Sequence, residues 1–84
     1  MHTVELFEHL QDVGRQLGYQ IRHEYLGGVG GGRCEVAGKR WIFIDLALNS
    51  SEQLDQLVEA LQEDPAIHTL SLPNRIAQLM QRAA

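Results

Sequence analysis

Three side chains between positions 23 and 45 have the types that a nucleophilic hydrolase uses: His23, Cys34 and Asp45. In that chemistry Cys34 attacks as the thiolate, His23 takes up its proton and Asp45 holds the imidazole in place. Between His23 and Cys34 runs Gly27-Gly28-Val29-Gly30-Gly31-Gly32, which gathers five of the eight glycines into six positions. Each glycine costs roughly 0.5–1 kcal/mol relative to alanine in regular structure, so the cluster implies positive φ angles or a close neighbour. Backbone N–H groups of such a loop can surround an oxyanion or a phosphate, which makes Gly28, Gly30, Gly31 and Gly32 the candidate ligand-binding positions.

Each of these chemistries has a plainer competitor. The order and spacing of His23, Cys34 and Asp45 match no cysteine-hydrolase signature, and a lone cysteine near Trp41 and Phe43 reads first as a small core residue. For phosphate, the dinucleotide fingerprint needs a glycine at its sixth position, where counting from Gly28 places Arg33, and the P-loop needs Gly-Lys-Ser/Thr. Both also need a helix after the loop, whereas strand-like alternation resumes at Arg33. A metal would draw on His9, His23, Cys34, Asp45 and His68, which show neither Cys-x-x-Cys nor a histidine pair at i and i+4. No metal and no cofactor are therefore expected.

The elements that must position these residues follow from periodicity. Leu6, Leu10, Val13 and Leu17, with Phe7 alongside, form one helical stripe over residues 3–17, and Gly18 is placed to end it. Tyr19 to Leu26 alternates as a half-buried strand, with Tyr19, Ile21, His23 and Tyr25 on one side. Arg33 to Ala37 and Arg40 to Leu46 read as two more strands joined by a tight turn at Gly38-Lys39. Ser50 and Gln53 stand at capping-box spacing before a second helix with Leu54, Leu57, Val58 and Leu61 on one face, ended by Asp64-Pro65. Residues 66–71 form a link, and Pro73 opens a third helix that buries Ile76, Leu79 and Met80. The expected fold is α+β, in the order α-β-β-β-α-α, with a three-stranded antiparallel meander, an N-terminal helix and two C-terminal helices.

In a meander whose turn pairs Ala37 with Arg40, Cys34 faces Phe43 and Gly32 faces Asp45, while Tyr25 of the first strand faces Cys34. Ile21, His23, Tyr25, Cys34, Val36, Trp41, Phe43 and Asp45 then share one face. Asp45 lands beside the glycine loop, where its carboxylate can accept hydrogen bonds from Gly31 or Gly32 and hold the loop's shape, a role preferred over catalysis. The third strand is apolar at both parities, so both its faces are expected to be covered, by helices or by another subunit. Trp41 and Tyr25 could mark a contact surface. With few aromatics available, Trp41, Phe43 and Phe7 are assigned to the core instead.

Composition bounds the rest. The 84 residues, 44% hydrophobic and 21% charged, fit a single small domain spanning residues 1–84. So short a chain has a thin core, and its single cysteine forbids an internal disulfide, which favours self-association or a protein partner. The net charge of −4 and seven scattered basic residues argue against nucleic acid. No basic, apolar leader opens the sequence and no stretch approaches a membrane span, so the expected location is the cytoplasm, without membrane contact.

Gly31-Gly32-Arg33-Cys34-Glu35-Val36, Lys39-Arg40-Trp41-Ile42-Phe43-Ile44-Asp45 and Ser51-Glu52-Gln53-Leu54 together resemble small bacterial proteins with a GGxGGGxC hairpin and no assigned activity. That resemblance covers residues 17–64 and implies no site. The strand, turn, strand, helix order is also similar to the scaffold of compact bacterial zinc peptidases associated with repressors. Their helix carries His-Glu-x-x-His, whereas this one reads Leu57-Val58-Glu59-Ala60-Leu61-Gln62-Glu63-Asp64, so neither zinc nor peptidase activity carries over. The expected function is a non-enzymatic interaction module or small homo-oligomer; the alternative is an enzyme or small-ligand site at Gly27–Cys34 using Cys34, His23 and Asp45.

Overall fold

A computed structural model describes residues 3–82. Helix α1, Thr3–Gln16, buries Leu6, Leu10 and Val13, with Phe7 and Leu17 packed beside them. Gly14 lets it lie close to the sheet: a Cβ there would meet Ile21 at 3.3 Å and Ile42 at 3.6 Å. Gly18, at φ +94°, turns the chain out of α1 and into strand β1, Tyr19–Glu24. Strands β2, Gly32–Val36, and β3, Lys39–Asp45, follow, then helix α2, Ser50–Gln62, a 3-10 helix, Pro65–Thr69, and helix α3, Asn74–Arg82.

The sheet is mixed, which corrects the expected antiparallel meander. Its order is β1-β3-β2: β3 is central, parallel to β1 and antiparallel to β2. A parallel pair needs a crossover of a dozen or more residues, and residues 25–38 supply one that contains β2 itself. The glycine loop is therefore not a hairpin. It leaves one edge of the sheet, passes over the C-terminal end of β3 and enters the opposite edge.

The turn between β2 and β3 is Ala37-Gly38 rather than Gly38-Lys39. Both residues have positive φ, 53° and 79°, as the turn that matches strand twist requires. Val36 consequently pairs with Lys39, Cys34 with Trp41 and Gly32 with Phe43, a shift of two positions from the expected register. Helix α2 also starts one residue earlier than the capping pattern suggested. Asn49 is the cap: its side chain accepts from Glu52 N at 2.9 Å while Glu52 accepts from Asn49 N at 3.0 Å.

Among the described residues, all helical packing falls on one face of the sheet. Ile42 and Ile44 are fully buried there among Leu10, Leu57, Leu61 and Ile76, with Tyr19 and Ile21 beside them. Leu79 and Met80 of α3 are partly buried against this core, and the segment before α3 is the 3-10 helix with Ile67 buried. The other face carries Trp41 and Phe43, stacked at 5.9 Å with 20° between their planes, both half-buried and outside the core cluster. Helices of this chain thus cover β3 on one face, and the expectation that Trp41 and Phe43 build the core is not met.

Candidate functional site

Asp45 ends β3 directly beneath the glycine loop and is fully buried. Its Oδ1 accepts from Leu26 N and Ala47 N, each at 2.9 Å, and its Oδ2 from Gly28 N at 2.9 Å and Gly30 N at 3.1 Å. Burial opposes its charge, but these four main-chain donors outweigh it and hold the carboxyl below its ordinary pKa. The cradle's anion is thus the protein's own side chain, bound by Leu26, Gly28 and Gly30 rather than by Gly31 or Gly32. Gly27, Gly28 and Gly30 take φ of 74°, 81° and 85° so that alternate amides turn inward.

Gly31 serves packing. A Cβ at that position would lie 2.0 Å from the carbonyl oxygen of Phe43, so only glycine lets the loop descend against β3. On its outer side the loop faces α2 across a cleft of about 420 Å³, lined by Val29 to Arg33, Glu52, Gln56, Glu59 and Glu63. Three carboxylates against one guanidinium make this wall unfavourable for a phosphate. Gln56 belongs to the structural support: its Oε1 accepts from Asp45 N at 3.0 Å.

His23 and Cys34 do not join Asp45. His23 lies on β1, on the helical face, where Nε2 stands 3.0 Å from Gln11 Oε1 and the ring meets Phe7 edge-on at 6.0 Å. Cys34 is exposed on β2, on the face opposite His23, with the whole width of β3 between them. Two strand spacings separate the backbones by about 9.5 Å. Among the described residues no group of three or more His, Cys, Asp or Glu side chains could hold a metal ion, and no helix is long and apolar enough to cross a membrane.

A second polar cluster had no counterpart in the sequence reading. Tyr19 Oη donates to Asp64 Oδ2 at 2.7 Å and receives hydrogen bonds from Arg40 at 2.6 Å and Arg33 at 3.1 Å. Arg40 also donates to Asp64 and to Leu17 O, and its guanidinium lies 4.1 Å from the Tyr19 ring centroid. The Tyr19 hydroxyl, then Ala66 N and Arg40, pull the Asp64 pKa down against the opposing effect of burial. The hydrogen bond to Tyr19 raises the Arg33 pKa. Arg40 is raised by Asp64 and Tyr19 despite burial, which lowers it most. Asp64 also caps the 3-10 helix through Ala66 N at 2.9 Å, so this cluster ties β1, β2 and β3 to the end of α2. The Asp-Pro pair, a common cap signal, was the one local hint of it.

The remaining feature is the face without helices. Along β2, Cys34 and Val36 are exposed, and Trp41 and Phe43 of β3 lie beside them, with Gln20, Arg22 and Glu24 of β1 at the far margin. Compared with protein-family models, curated proteins and solved structures, the chain matches none.

Proposed function

We propose that the chain is a non-enzymatic interaction module that binds protein through its open sheet face and the adjoining β2 edge. The observation that carries this reading is the half-buried Trp41–Phe43 stack continuing onto exposed Val36 and Cys34, with no helix over it among the described residues. A contiguous apolar surface rimmed by polar side chains is what a contact site presents to water. The polar clusters, in contrast, are internally satisfied: no buried side-chain nitrogen or oxygen among the described residues lacks a partner.

Site-specific photo-crosslinking tests it. A benzophenone side chain placed at Val36, in cells that make the protein, should give protein adducts, and the same group at Asp55, exposed on α2, should not. Equal yields at the two positions, or none at Val36, would overturn the reading.

A further inference from the structure

Resting on that reading of the sheet face and β2 edge, we infer that the partner is a second copy of this chain, paired antiparallel through β2 about a two-fold axis at Cys34, making one six-stranded sheet.

The edge is free and its hydrogen-bonding groups have a defined phase. Among the described residues, strand β2 has β3 on one side and no strand on the other. In a two-residue hairpin closed by Val36 and Lys39, the closing pair exchanges both ladder bonds, so Val36, Cys34 and Gly32 bond inward to β3. Arg33 and Glu35 therefore turn their N–H and C=O groups outward, and among the described residues no loop or cap bond uses them. Two copies aligned with Cys34 opposite the partner's Cys34 bring these outward groups face to face, where they form complete hydrogen-bonded pairs.

Charge selects that register. With Cys34 on the axis, Arg33, whose guanidinium also meets Tyr19 and Glu63 of its own chain, stands opposite the partner's Glu35, and Glu35 opposite the partner's Arg33, so unlike charges face each other at both positions. Slipping by two residues in either direction keeps the hydrogen-bond phase but sets Arg33 against the partner's Arg33 or Glu35 against the partner's Glu35. Glu35 is exposed and makes no ion pair with its own chain among the described residues. Gly32 falls opposite the partner's Val36 and leaves room for it.

The open face is divided the right way for this partner. Its apolar side, Trp41, Phe43, Cys34 and Val36, adjoins β2, and its polar side, Gln20, Arg22 and Glu24, lies on the far strand β1. Two-fold pairing through β2 sets the apolar halves side by side at the centre of the six-stranded sheet, where Cys34 and Val36 meet the partner's β2, and leaves the polar margins outside.

Cys34 reports the register. At a non-hydrogen-bonded antiparallel pair the Cα atoms stand about 4.5 Å apart, within the range a disulfide spans. Diamide should therefore take two electrons and two protons from the paired thiols, becoming the hydrazine and leaving a Cys34–Cys34 bond between copies.

The purified, reduced chain should show a monomer–dimer equilibrium by sedimentation below about 1 mM, and diamide should crosslink it in native buffer but not in denaturant at equal concentration. Glu35→Arg and Arg33→Glu should each weaken association on the order of tenfold, and mixing the two variants should restore it, because the mixed pair again opposes unlike charges. A monomer at about 1 mM, a mixture no tighter than its components, or crosslinking as fast in denaturant would overturn the dimer. If Arg33→Glu fails to fold through loss of its Tyr19 contact, Glu35→Arg decides alone: native crosslinking slowed on the order of tenfold supports the pairing, and an unchanged rate overturns it. A monomeric chain that still yields Val36 adducts to a different protein removes the second copy and leaves the interaction reading standing; a monomer without such adducts removes both.

Discussion

The amide of Gly28 donates to Asp45 Oδ2 at 2.9 Å across 17 residues of sequence, and this bond explains why the crossover loop is built of glycine. The loop must carry the chain from one edge of the sheet to the other over the end of β3 while turning alternate amides toward a buried carboxylate. Three glycines at positive φ achieve the turning, and Gly31 achieves the close approach. Asp45 supplies the acceptor that those amides would otherwise lack.

Replacing Asp45 with asparagine keeps the shape but sets an NH2 group against main-chain donors. Asp45→Asn should lower Tm at pH 7 by about 10 °C and speed amide exchange at Gly28 and Gly30, readable by melting and by NMR. The pH dependence has a defined sign. Asp45 and Asp64 titrate lower in the folded than in the unfolded chain, so the unfolded state binds more protons in acid. Their contribution is complete above the ordinary aspartate value and is lost as pH falls through the folded values. Tm of the wild type should therefore drop steeply in that window and that of Asp45→Asn less steeply; parallel curves would show that the cradle does not set the acid limit.

The helices were legible because each carries its own periodic stripe: Leu6, Leu10 and Val13 are buried as their spacing implies, and Gly18 ends α1. Strand pairing was not, because alternation gives a strand's two faces but not its neighbour. His23 and Val36 fit an antiparallel hairpin as well as they fit opposite edges of a sheet, and the choice is made by packing of β3 between them. Asp45 was legible as the loop's anchor, but its donors changed with the topology. The Tyr19–Asp64 bond, spanning 45 residues, has no local signature.

The two kinds of glycine in the loop should respond differently to alanine. At Gly31 the new Cβ meets the Phe43 carbonyl at 2.0 Å, backbone against backbone, with no side chain to yield. Gly31→Ala should cost more than about 3 kcal/mol, as overpacking at a rigid site does. At Gly28 nothing lies within 4 Å of the added Cβ, and the cost is the left-handed conformation alone. Gly28→Ala should cost about 1–2 kcal/mol. Urea melts rank the pair, and the reverse order would contradict the crossover geometry.

Tyr19→Phe isolates the second cluster. It removes the hydroxyl that donates to Asp64 and accepts from both arginines, leaving a nearly buried carboxylate with Arg40 and Ala66 N. A loss of about 1–3 kcal/mol is expected for an unmade hydrogen bond to a buried charged group. Tyr25→Phe is the control: Tyr25 is 79% exposed, and its change should stay within about 0.5 kcal/mol. Equal effects would show that Tyr19 does not hold the β-strands to the end of α2.

Adjacent residues of β3 give the sharpest test of the one-sided sheet. Ile42 is fully buried against the helices, so Ile42→Ala should cost about 2–5 kcal/mol through lost packing and a residual cavity. Trp41, the larger side chain, is only half-buried and stacks on Phe43 outside the core. Trp41→Thr keeps strand propensity and should cost about 1 kcal/mol or less in a dilute, monomeric sample. The same substitution should reduce association through the open face, since it removes the largest apolar surface there. Denaturation at low concentration and sedimentation at high concentration separate the two effects. A Trp41→Thr chain that unfolds as readily as Ile42→Ala would place Trp41 in the core and leave the open face without its principal anchor.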